Sequence, residues 1–283
     1  MRACLIIPCH EPKIPWLLDF LETLSNPENE KIVIAVSVGR DIDLFKKRLA
    51  QSPQYNNLFF LATADYLSSE GLHAGSKAIQ CSASGIINIK KFAALMWSMR
   101  DYDYAVCVDA DSKALSDLTT ILKAAVTNYK KNIFFGSTTR DFSFYRMNNV
   151  NHRYFKPDQV AKIKQNTNDG HVYTWFHDVP TYKKEDLADF FAMMDENQGL
   201  DTFLERIDWY AFEHIAYQQF LIVAKNATII DVEGKIPEEF PVAQHKAINK
   251  KYDYLPLWVP KSMYEADPAM QKLGFHMLNH MDR

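Results

Sequence analysis

Short apolar runs rich in β-branched residues recur through the first 137 residues, each followed by a stretch of helical spacing. This alternation restricts the possible fold more than any other feature of the chain. Strand-like runs lie at 3–8, 31–38, 58–62, 104–108 and 132–136, and helix-like segments at 15–24, 41–50, 88–99 and 115–128. Several of the runs are apolar without a break, the pattern of strands covered on both faces. The expected fold is therefore α/β, a mostly parallel, Rossmann-like sheet flanked by helices. Beyond Ser137 aromatic and polar residues mix without a clear period as far as His177. Helical spacing returns at 184–194 and 203–224, a short strand is expected at 227–232, and the tail reads as loop. No linker separates the halves. The expectation is one domain over 1–283, with a ligand-binding half at 1–137 and a second half at 138–283 that adds partner-side elements.

Lys and Arg number 32 against 35 Asp and Glu, so the formal charge of −3 offers no basic surface for nucleic acid. The apolar runs are too short to cross a bilayer, and the first one turns polar at Cys9–His10–Glu11, as a first strand would and a signal peptide would not. Four scattered cysteines without a CxxC pair read as reduced thiols, which fits a cytoplasmic, soluble protein.

The sharpest chemical signal is Asp109–Ala110–Asp111, directly after the run YAVCV. Strand alternation puts the two carboxylates on one side, and in a parallel α/β sheet ligands bind at the carboxyl ends of the strands. Two acids facing a crevice call for a cation between them, and Mg²⁺ or Mn²⁺ carrying a diphosphate meets that need. The alternative is a surface turn whose acids cap the helix expected from about residue 115. Just before this motif, Asn88 reads as an N-cap, with Lys90 and Lys91 in the first helical turn. Cations at that end oppose the helix dipole, so they either meet a docked anion or form a solvated pair.

The 26-residue stretch INIKKFAALMWSMRDYDYAVCVDADS resembles the signature of GT-A glycosyltransferases, in which a Lys-bearing helix and a strand ending in Asp-x-Asp adjoin the donor site. The element order of the first 137 residues is similar to that fold. The resemblance implies that Asp109 and Asp111 hold Mn²⁺ or Mg²⁺ on the diphosphate of a nucleotide sugar, with UDP favoured, and that Lys91 neutralises phosphate charge. It implies a nucleotide pocket at the ends of the first three strands, with Pro8 and His10, then Arg40 and Asp41, then Asp65. It also implies a late His completing the metal site beside a basic residue, which His245 and Lys246 match. The implied activity is hexosyl or N-acetylhexosaminyl transfer to a glycan or glycolipid acceptor, of the kind used in bacterial surface polysaccharide or lipopolysaccharide synthesis.

On the acceptor side, Asp208 and Glu213 are acids in an otherwise aromatic, apolar stretch read as helix, where an ionised group needs a reason. Either one deprotonates or orients an acceptor hydroxyl, or they pair with Arg206 or face solvent. His171, Trp175, His177 and Asp178 are placed near the acceptor. The tail with Lys250, Lys251, Tyr252, Tyr254 and Trp258 suits a lid, or at most peripheral contact with a membrane. Two rivals remain. A sugar-nucleotide nucleotidyltransferase would share the sheet and the metal but usually carries a Gly-rich loop where this chain has PCHEPKIP. A non-catalytic glycan-binding protein on the same fold has less need of both aspartates.

Overall fold

The computed structural model of the chain describes residues 2–138, 142–169, 171–173, 179–231, 246 and 249–279. Its strands are β1 (Ala3–Pro8), β2 (Lys31–Val36), β3 (Leu58–Ala62), β4 (Tyr104–Cys107), β5 (Lys113–Ala114), β6 (Ile133–Thr138), β7 (Val172–Tyr173), β8 (Thr181–Lys183), β9 (Thr228–Asp231), β10 (Trp258–Pro260) and β11 (Met277–Asn279). The main helices are α1 (Ile14–Thr23), α2 (Gly39–Leu49), α3 (Thr63–Ser69), α4 (His73–Gln80), α5 (Ile86–Ser98), α6 (Leu118–Tyr129), α7 (Phe142–Val150), α8 (Pro157–Asn166), α9 (Lys184–Gln198), α10 (Leu200–Glu205) and α11 (Glu213–Lys225).

The central sheet runs β3-β2-β1-β4-β8, parallel except for β8 at the edge, so the expectation of a mostly parallel α/β layer holds. β1, β2 and β4 are buried on both faces, with alternate residues facing opposite cores. Cys4, Ile6, Val33, Ala35, Ala105 and Cys107 point into one core, which Ile89, Phe92 and Ala93 of α5 cover. Leu5, Ile7, Ile32, Ile34 and Val106 point into the other, which α1 and α6 cover with Leu17, Phe20, Ile121 and Leu122. Two-sided cover explains why these strands read as unbroken apolar runs. The first core also takes in Phe190, Phe203, Tyr217 and Phe220, so α9, α10 and α11 pack on the same face as α5.

Three expectations change. The strand near 132–136 is real as β6 but stays outside the central sheet. The antiparallel β8 already occupies the edge of β4, and β6 pairs with β9 and β7 in a separate three-stranded sheet. The segment read as one helix over 203–224 is broken, with α10 ending at Glu205 and α11 beginning at Glu213. The tail is not all loop. β10 and β11 pair with each other, β11 pairs with β5 just beyond Asp111, and Trp258 and Tyr254 are buried. Those two aromatics are therefore part of the packed interior and not a membrane-facing surface. Among the described residues no helix is long and apolar enough to cross a membrane.

Candidate functional site

Because β1 to β4 are parallel, their carboxyl ends share one rim. At β1 the chain leaves Pro8, which is buried, and turns through Cys9 and the exposed His10 into a short 3-10 turn, Glu11–Lys13. At β2 it enters α2, where Arg40 is exposed and Asp41 accepts a hydrogen bond from the Val38 amide at 3.3 Å, capping the helix. At β3 it enters α3 directly, and the Asp65 carboxylate accepts the Gly39 amide at 2.9 Å. A β-carbon on Gly39 would stand 2.7 Å from that same oxygen, so a larger residue there would require the Asp65 carboxylate to shift. Both sit on the expected rim: Asp41 caps its own turn, and Asp65 ties the end of β3 to that of β2.

At β4 the alternation of burial is kept through the turn. Val108 and Ala110 are buried, whereas Asp109 and Asp111 are both part-exposed on the other side. The turn does not cap the next helix. Asp117 does that, accepting the Thr120 amide at 2.9 Å, so the capping alternative for Asp109 and Asp111 falls away.

The helix beneath this rim corrects one expectation. α5 starts at Ile86 after Gly85, not at Asn88, so Lys90 and Lys91 stand in its second turn, away from the helix terminus. Neither is a solvated surface charge. Lys90 is 2 % exposed and Lys91 5 %. The Lys91 ammonium lies 3.3 Å from Asp109 Oδ1 and 3.1 Å from Glu213 Oε1. Burial alone would push the ammonium toward neutrality, but the carboxylates of Asp109 and Glu213 outweigh it and hold its pKa above the usual lysine value.

Glu213 is the first residue of α11 and is fully buried. Desolvation works against its ionised form, yet Lys91, together with the neighbouring His214, pulls its pKa down to about 2. The N-terminus of α11 adds favourable potential for a carboxylate at that position. A group without solvent contact cannot reach an acceptor hydroxyl, so the expectation that Glu213 acts as the base is corrected: its carboxylate holds Lys91. Asp208 lies in the 206–212 loop and not in a helix. One oxygen accepts the amides of Tyr210 at 2.8 Å and Ala211 at 3.1 Å, and the other takes the Arg153 guanidinium at 3.1 Å. Its partner is Arg153 in place of the expected Arg206, and a carboxylate engaged in this way is a poor base.

That loop is fastened to the start of α5. Gly85 adopts φ +86, and a β-carbon there would meet the Asp208 carbonyl carbon at 2.4 Å. Asn88 Nδ2 donates to the Asp208 carbonyl at 3.3 Å. Arg153 and the Tyr154 hydroxyl both donate to the Arg206 carbonyl, and the Arg146 guanidinium stacks on Tyr210 at 4.0 Å. Trp209, 56 % exposed, projects from this braced loop. A small cavity between β8 and α11 is lined by Tyr129, Thr181, Tyr182, His214, Tyr217 and Gln218.

The remaining expected site residues are scattered or undescribed. Lys246 is exposed and helical. His171 stacks against Tyr145 with ring centroids 4.8 Å apart. His245, Trp175, His177 and Asp178 lie outside the described residues. Sequence reasoning missed the depth of Lys90, the role of Arg153 and the contact at Gly85. A glycine directly before an apolar helix was the one available hint for the last.

Asp109, Asp111 and Glu213 against Lys91 leave two net negative charges, three minus one, which a divalent cation would match. Among the described residues no three His, Cys, Asp or Glu side chains converge as a metal cage. Mg²⁺ and Mn²⁺ need none where phosphate oxygens and water complete the octahedron, so the two part-exposed aspartates fit such an ion.

Compared with known proteins, the chain matches no family model and no curated protein sequence. Among solved structures it is similar to the apo form of WbbM, a bifunctional glycosyltransferase, at TM-score 0.46 and 12 % identity over 99 % of this chain. It spans 45 % of the WbbM chain. It is also similar to apo mouse xyloside xylosyltransferase 1, at TM-score 0.43 and 10 % identity, covering 98 % of this chain and 96 % of that one. S. aureus TarS gives TM-score 0.36 and 13 % identity, covering 89 % of this chain and 39 % of that one. All three are distant likenesses.

Proposed function

We propose that the chain is a glycosyltransferase of the GT-A type, moving a sugar from a nucleoside diphosphate sugar, with UDP favoured, onto a glycan or glycolipid acceptor. The observation that carries this reading is the presentation of Asp109 and Asp111 on one side of the turn at the end of a central parallel strand, with Lys91 locked behind Asp109 by a fully buried glutamate. A bare ammonium beside a carboxylate is common, whereas an ammonium held from both ends fixes the carboxylate in place. Preorganised charge of this kind favours the step in which negative charge builds on a leaving group.

In this reading Asp109 and Asp111 would hold a divalent cation, which when bound would draw charge from the departing diphosphate. Lys91 orients Asp109 and adds positive potential at the same place. His10, Arg40 and the turns around Pro8, Asp41 and Asp65 form the floor for the nucleoside. Trp209, exposed on a loop anchored by Arg153 and Gly85, gives the acceptor a flat apolar face to stack on. Transfer forms the bond from the anomeric carbon to an acceptor oxygen, breaks the bond from that carbon to the diphosphate, and passes the acceptor's hydroxyl proton to the released diphosphate or to water. The acceptor of this reading is a surface polysaccharide or lipopolysaccharide, which rests on the type of enzyme resembled and on no residue of the chain.

Calorimetric titration with UDP, GDP, CMP and ADP, each with and without Mn²⁺, tests the reading on wild type and on Asp111→Ala. One nucleotide is expected to bind tightly, only with metal, and not to the variant. Binding that ignores both metal and mutation, or no binding at all, overturns it.

A further inference from the structure

Arg146 is a cation to which the reading above gives no task. It stands exposed on α7, and its guanidinium stacks on the Tyr210 ring, 4.0 Å from the centroid. Among the described residues no carboxylate comes within ion-pair distance of it. The donors of a guanidinium lie in its plane, so a ring under one face leaves open the edge that receives carboxylates and phosphates. Tyr210 needs no cation to hold it in place. Its amide is bonded to Asp208, and the Ala211 amide closes the turn on the Asp208 carbonyl at 3.2 Å. Trp209 and Tyr210 are the two central residues of that turn, so the exposed indole and the Tyr210–Arg146 stack leave the loop from adjacent positions. The surroundings are poor in acids. Residues 142–156 hold Arg146, Arg153 and Lys156 and neither Asp nor Glu. In the 206–212 loop Arg206 adds a charge, and the one acid, Asp208, is taken by Arg153. Arg146, Arg153 and Arg206 against Asp208 leave two net positive charges, three minus one, on a chain whose formal charge is −3.

We propose that the acceptor is an acidic glycan, whose carboxylate or phosphate is held by the edge of Arg146 while a sugar ring lies on Trp209. This rests on the transferase reading of the site and adds to it the charge of the substrate. A guanidinium edge gives one anion two parallel N–H···O bonds, which a single neutral hydroxyl cannot match. Stacking on Tyr210 sets the plane of the fork in advance, so little freedom is lost when the anion docks. The net positive patch around it draws such an anion in. The two contacts divide the work of recognition. Stacking on the indole is blind to charge, whereas Arg146 separates an acidic acceptor from a neutral one built on the same rings.

The test is binding of the full chain to two matched pairs of immobilised glycans, with and without UDP and Mn²⁺. Tetragalacturonic acid is set against its carboxyl-reduced form, and mannotetraose bearing a phosphomonoester against plain mannotetraose. The first pair reads a carboxylate and the second a phosphate, so the two sources of the anion are told apart. Wild type is expected to bind at least one acidic member about tenfold more tightly than its neutral counterpart. That advantage is expected to shrink in about 0.5 M salt. Arg146→Gln is expected to bring the acidic member down to the neutral one, and Arg146→Lys, which keeps the charge without the fork, to retain part of the advantage. Trp209→Ala is expected to weaken acidic and neutral members alike and leave their ratio unchanged. Circular dichroism confirms that each variant is folded, and either Arg146 variant suffices if the other is not. Equal binding of acidic and neutral members, an acidic preference that survives Arg146→Gln, or no binding of either acidic member overturns the proposal. The transferase reading then still stands on the nucleotide titration. If no nucleotide binds there and no glycan binds here, both fall.

Discussion

Lys90 and Lys91 are consecutive on α5, and both are withdrawn from water. One faces the β1 end of the sheet and meets a peptide carbonyl. The other faces the β4 end and meets two carboxylates. Burial acts on both in the same direction, yet the first has its pKa lowered to about 8 and the second is held above the usual lysine value. What separates them is the provision of partners. Glu213 arrives from 122 positions further along the chain (213 − 91), at the first turn of a helix, and among the described residues no carboxylate pairs with Lys90. Depth in the fold therefore does not set the charge of a buried lysine. The acids delivered by distant elements do.

The largest effect expected from breaking this contrast is at Lys91. Lys91→Met strands Glu213 as an uncompensated buried carboxylate and should cost about 3–5 kcal/mol in urea denaturation. Adding Glu213→Leu to it should recover most of the loss, since an apolar pair of similar volume replaces an ion pair at little net cost. If the double variant is as unstable as the single one, Glu213 has some other task.

Next comes Lys90→Met, which removes a charge the fold compensates poorly and should raise stability at pH 7 by about 1–3 kcal/mol. The same lysine gives wild type a pH signature. Between about 8 and 10.5 the unfolded chain keeps the Lys90 proton and the folded one has lost it. The unfolded state then binds more protons, so stability rises with pH across that window, at up to about 1.4 kcal/mol per pH unit. Denaturation midpoints compared at pH 7.5 and 9.5 should show a rise in wild type that is missing from Lys90→Met.

The smallest effect is at Arg153, which braces the loop leading into Glu213. Its pair with Asp208 is about one-third exposed on each side, at 29 % and 37 %, so solvent screens it. Arg153→Met should cost under about 1 kcal/mol in stability. It should weaken binding of a glycan acceptor more than binding of a nucleotide. An equal loss of both would mean that the loop serves the donor side as well.

The sequence made the central strands legible because β1, β2 and β4 are buried on both faces and so carry no polar interruption. α3 and α4 escaped notice because TADYLSS and HAGSKAIQ are short and rich in small and polar residues. α7 and α8 escaped because FSFYRMNNV and PDQVAKIKQN show no sustained apolar stripe. The false continuity over 203–224 has a different cause. Ile207, Trp209, Ala211 and Phe212 keep the apolar density high while Asp208 takes the amides of Tyr210 and Ala211 that a continuous helix would need. In the site, Asp109 and Asp111 were visible because local alternation alone places them. Glu213 was noticed as an acid in apolar company, but its reason, Lys91, was beyond any local pattern. Lys90 stayed open between a docked anion and a solvated pair because nothing in one sequence reports depth.

Gly85 carries a last implication. Where most elements of the molecule are spaced by side chains, the start of α5 and the 206–212 loop meet main chain to main chain, with no room for even a methyl group between them. Their separation is a sum of atomic radii and not a choice among residue types. Substitutions elsewhere can repaint both surfaces while the gap between them keeps the same width.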